Sequence, residues 1–94
     1  MIRLGLARLA VAVVVVTISF ASINAQTASQ IFASGQEHFK AGRYDAAITE
    51  FRKYIATAGE DSGAYFNIGL AYYITKRYND AIPALQSSVR LKSD

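Results

Sequence analysis

His38 is the only histidine in a 94-residue chain without cysteine, so metal or acid–base chemistry would have to be built around it. A helical metal site would need a second ligand three or four residues away on the same face. Those places hold Ala41 and Gly42, and no metal is expected. The segment "GEDSG", residues 59–63, carries glycines and acids but not the lysine of a phosphate-cradling loop. Glu60 and Asp61 are adjacent and point apart, which suits them poorly to paired-carboxylate work. Asp61 reads instead as a helix cap. No nucleophile sits beside a base, so neither catalysis nor a cofactor is expected.

The charged residues point to architecture. "RYDAAITEF" at residues 43–51 returns as "RYNDAIPAL" at residues 77–85. The offset is 34 residues, and a fixed period of this order marks stacked structural repeats. Arg43 and Arg77 therefore recur along one turn edge, joined by Lys76. They are read as solvated turn residues before they are read as an anion-docking ridge.

The front of the chain is an address. "MIRLGLARLAVAVVVVTISFASINAQ" has Arg3 and Arg8 ahead of a Val-rich apolar run, then small residues. This is the layout of a secretory signal peptide over residues 1–25. Cleavage is expected after Ala21 or Ala25, with Ala25 preferred. The alternative is an uncleaved N-terminal anchor, against which the apolar run from Leu9 to Ile23 is short of the roughly 20 residues a spanning helix needs. The formal charge of +3 falls to about +1 without Arg3 and Arg8. The balance therefore gives no support to a nucleic-acid partner, and a membrane partner is expected only if the segment stays uncleaved. A small domain without disulfides depends on its core or its neighbours.

Two units, residues 28–61 and 62–94, each show two helical patterns. Thr27 and Gln30 offer a capping box for a first helix running to about Ala41. Gly42 suits the left-handed residue that closes it. Asp45 is expected to cap a second helix carrying Ala47, Ile48, Phe51, Tyr54 and Ile55 at helical spacing. Asp61 or Ser62 begins a third helix, and the fourth is predicted from near Asp80 to Leu91. Pro83 is then placed in or just after its first turn, where at most one backbone bond is lost.

These residues resemble the tetratricopeptide repeat, whose pattern reads Trp-x2-Leu-Gly-x2-Tyr, then Ala-x3-Phe. The second unit matches with Tyr65, Ile68, Gly69 and Tyr72, then Ala81 and Leu85. The first has Ile31, Ser34, Gly35 and His38, then Ala47 and Phe51, so Ser34 and His38 depart from it. The closing Pro is replaced by Gly59 and Ser93. The resemblance implies an all-α fold of antiparallel helix hairpins, about four helices, with Gly35, Ala47, Phe51, Gly69, Tyr72, Ala81 and Leu85 as packing residues. His38 takes a packed Tyr place and is expected to be half-buried.

The resemblance also implies where a partner would lie. The concave groove takes extended or helical peptides, and its places here hold Phe32, Gln36, Phe39 and Lys40, then Phe66, Asn67, Leu70, Tyr73 and Ile74. Some tetratricopeptide domains clamp a peptide's terminal carboxylate with Lys and Asn. Only Asn67 falls on such a place, so no clamp is expected. The chain is read as an exported bacterial protein-interaction module, periplasmic or secreted, or anchored to the inner membrane facing the periplasm. The alternatives are a membrane-anchored adaptor and a self-associating module. In the second, Ile82, Leu85, Val89 and Leu91 give the fourth helix more apolar surface than one hairpin partner covers.

Overall fold

The computed structural model describes residues 26–93; the expected leader or anchor at residues 1–25 lies outside them. Four helices follow one another among the described residues: α1 (Ala28–Lys40), α2 (Tyr44–Ala58), α3 (Ser62–Ile74) and α4 (Tyr78–Ser93). At the start of α1, Thr27 Oγ1 accepts from the Gln30 backbone N–H at 3.2 Å and Gln30 Oε1 accepts from the Thr27 N–H at 3.0 Å. Both donors would otherwise be orphaned at the helix end. Asp61 caps α3 through its carboxylate, which accepts from the Ala64 N–H at 2.8 Å.

Asp45 does not cap α2. The helix begins at Tyr44, two residues earlier than a cap at Asp45 would set it, and its N-cap Arg43 makes no side-chain capping bond. Asp45 Oδ1 accepts instead from Arg77 Nη2 at 2.6 Å. α4 likewise starts at Tyr78, ahead of Asp80, so Pro83 is its sixth residue, past the first turn, and one backbone bond is lost. The missing N–H deprives the Asn79 carbonyl of its helical donor. Both residues are exposed, so water can take that place.

The two hairpins close through the same turn. In the first, the Gly42 N–H reaches the Phe39 carbonyl at 3.0 Å and the Arg43 N–H reaches that of His38 at 2.8 Å. In the second, Lys76 to Tyr73 and Arg77 to Tyr72 repeat both bonds, at 3.0 and 2.8 Å. This arrangement needs a left-handed residue after the cap. Gly42 supplies it at φ +77° and Lys76 at φ +63°, and only the lysine carries a Cβ that resists it.

α1 packs on α2 and α3 on α4, and α2 with α3 joins the hairpins. Small residues at 35 and 69 allow the close approach, but what faces each glycine is a large side chain. A Cβ at Gly35 would meet the Phe51 ring at 2.9 Å, and one at Gly69 would meet Leu85 Cδ2 at 2.6 Å. Ala47 and Ala81 are buried beside them. The continuous core is formed by Ala47, Ile48, Phe51, Ala64, Ile68, Ala71 and Ala84. At its far edge Ser62 Oγ donates to the Ser88 carbonyl and Ser88 Oγ to that of Ser62, each at 2.9 Å.

Candidate functional site

α3 is apolar on nearly every side. Two sides are used: Ala64, Ile68 and Ala71 join the core with α2, and Gly69 meets α4. The remaining side carries Phe66, Leu70, Tyr73 and Ile74. Phe66 is 51% exposed, Tyr73 58% and Ile74 42%, while Leu70 is half-buried.

The matching side of α1 is different. Phe32 stands in edge-to-face contact with Phe51 at 5.2 Å and Tyr54 at 5.0 Å, which ties it into its own hairpin. Phe66 lacks that support because Leu85 and Ser88 occupy the places corresponding to Phe51 and Tyr54, and Ser88 is bound to Ser62. Phe39 packs edge-on against Tyr44 at 5.3 Å, as Tyr73 does against Tyr78 at 5.5 Å. Gln36, Phe39, Lys40 and Asn67 come together around a cleft of about 190 Å³ floored by Phe51. The groove positions thus divide into a packed part on Phe32, a small polar-rimmed cleft, and an exposed aromatic face on α3.

On the opposite side lies a larger cavity that the sequence pattern does not indicate. It measures about 400 Å³ and is lined by residues that include Arg52, Tyr65, Tyr72, Asp80, Pro83 and Ser87. Arg52 Nη2 donates to the Tyr72 hydroxyl at 2.6 Å, and the Arg77 guanidinium stands over the Tyr72 ring at 4.8 Å. Tyr72 therefore links α2, α3 and the turn before α4. Its counterpart His38 is half-buried and its Nδ1 accepts from Arg43 Nε at 2.9 Å. Both turn arginines hold side chains of their own chain rather than standing as an open anion-docking ridge.

At the end of α4, Ile82, Leu85, Gln86, Val89 and Arg90 line an apolar hollow of about 450 Å³. Leu91 is half-buried on the inner row with Ala84 and Ser88, so it lies away from this open face. Among the described residues no helix is long and apolar enough to cross a membrane.

A tetratricopeptide repeat model matches residues 32–94. The chain belongs to that family, whose repeats are typically protein-interaction modules. No curated protein and no solved structure matches the chain.

Proposed function

We propose that the chain is an exported module of two repeats, 28–61 and 62–94, that binds a segment of a partner protein along the inner faces of α1 and α3. The observation that carries this reading is the exposed apolar face of α3, with Phe66, Tyr73 and Ile74 all more than two-fifths exposed. Covering such a face recovers about 25 cal/mol for each Å² of apolar surface removed from water. Large aromatics at the centre of a contact are the usual anchors. Gln36, Lys40 and Asn67 supply a polar rim that would set orientation. An apolar segment, extended or helical, suits this surface better than a terminal carboxylate.

Export rests on residues 1–25, whose basic start, apolar run and small-residue exit direct the remainder to the periplasm or the medium. Retention of that segment would leave the same module tethered to the inner membrane. A second reading, self-association, is favoured by the exposed Ile82 and Val89 on α4.

The test is chemical-shift mapping of the labelled protein with a peptide selected on it from a display library. Shifts centred on Gln36, Lys40, Phe66, Asn67 and Tyr73 are expected. Shifts centred on the cavity between Arg52 and Asp80 would overturn the assignment of the face.

A further inference from the structure

α4 shows to solvent the row of positions that α2 hides. Ile48 is 6% exposed beneath α3, while Ile82, 34 residues on, is 53% exposed. Val89 is 66% exposed where its counterpart Ile55 is half-buried. Tyr78, Ile82, Leu85, Val89 and Lys92 follow one another at alternating steps of four and three, the spacing of a seam between two packed helices. α4 is therefore built to receive a helix.

The outer face of α1 cannot be that helix. Ala64 and Ala71, buried where α3 meets α2, correspond to Gln30 and Glu37, both exposed on α1. Head-to-tail stacking of two copies would take Gln30 and the Glu37 carboxylate out of water against Ile82 and Val89, and burying polar and charged groups on such a face is disfavoured.

We infer that α4 pairs with α4 of a second copy, antiparallel, about a two-fold axis at Leu85. The stripe is self-complementary in that direction. Ile82 meets Val89 of the second copy, Leu85 meets Leu85, and the exposed Tyr78 ring meets the Lys92 ammonium, a favourable cation–aromatic contact. Parallel pairing would set Lys92 against Lys92 and Arg90 against Arg90. Antiparallel pairing also matches the direction in which consecutive helices joined by short links lie. This geometry deepens the self-association reading and rests on it; the peptide groove on α3 adjoins it only where Tyr78 packs against Tyr73.

The experiment is sedimentation equilibrium of the full chain from about 1 µM to about 1 mM, with Ile82→Lys and Val89→Glu as variants. Wild type should pass from monomer to dimer across this range. Each variant alone should raise the dissociation constant about tenfold or more with helicity unchanged, since both side chains are exposed. An equimolar mixture of the two should recover near-wild-type association, because Lys at 82 then faces Glu at 89 across the axis. Failure of the mixture to recover would overturn the antiparallel pairing. A wild type that stays monomeric, or association indifferent to both variants, would remove α4 as the interface.

Discussion

Leu85 lies directly over Gly69, so that a Cβ at residue 69 would fall 2.6 Å from Leu85 Cδ2 and 3.2 Å from the Leu85 backbone nitrogen. At the corresponding contact of the first hairpin, the three atoms nearest a Cβ at Gly35 all belong to the Phe51 ring, the nearest at 2.9 Å. A ring can tilt, whereas the α4 backbone can yield only by moving the helix. Gly69→Ala should therefore destabilise by about 2 kcal/mol, as overpacking outweighs the gain in helix propensity of about 1 kcal/mol. Gly35→Ala should cost less. Urea midpoints of the two variants decide the order, and equal losses would contradict the role given to the α4 backbone.

Lys76 holds the left-handed place that Gly42 holds in the first hairpin. Lys76→Gly should raise stability by about 1 kcal/mol, since it removes a Cβ penalty of about 1–2 kcal/mol against some added freedom in the unfolded chain. For a domain of this size that is a gain of about 4–8 °C in midpoint temperature. A fall in midpoint would mean that the lysine side chain contributes more than its backbone costs.

Arg77 reaches Asp45 Oδ1, Thr75 Oγ1 and the Tyr72 ring, so it fastens the second turn to the first hairpin. Arg77→Ala should cost about 1–2 kcal/mol. Asp45→Asn should cost under about 1 kcal/mol, because the carboxylate is largely solvent-exposed and such pairs contribute little. Denaturation in high salt should shrink the Asp45 effect and the ion-pair share of the Arg77 effect, leaving the loss of the ring contact in place. Losses of equal size would show that the ion pair, not the ring contact, fastens the turn.

What the sequence made legible was whatever repeats or acts locally. The 34-residue period located both hairpins, and Thr27, Gln30, Gly42 and Asp61 each act within a few residues of themselves. Asp45 reads as a cap because local capping is the common use of aspartate; its arginine lies on the next hairpin, beyond any local pattern. Lys76 as a residue type carries no mark of its left-handed backbone; only its place 34 residues after Gly42 hints at it, and φ +63° shows it. The packing of the expected groove positions was half legible. Phe32 and Phe66 occupy equivalent places, but Tyr54 shelters the first and Ser88 cannot shelter the second, so one packs and the other stays open. No sequence spacing marks the cavity behind Tyr72, because its walls come from three helices.

Export has its own readout. Produced in a bacterium with an envelope, the chain should be recovered with a new N-terminus at Ser22 or Gln26. Intact mass measures this directly. Exported material still beginning at Met1 would establish the anchored form.

The proposed partner-binding face is tested most directly by affinity, using a peptide selected on the wild-type protein from a display library and titrated against Phe66→Ala, Tyr73→Ala and Thr57→Ala. Arg52 is unsuitable as the control, because its guanidinium holds the Tyr72 hydroxyl, whereas Thr57 is exposed on α2. Loss of about 2 kcal/mol or more at Phe66 and Tyr73, with little change at Thr57, is expected for aromatic anchors in a contact. Undiminished affinity in both aromatic variants, with their helicity intact, would contradict the assignment of the α3 face as the binding surface.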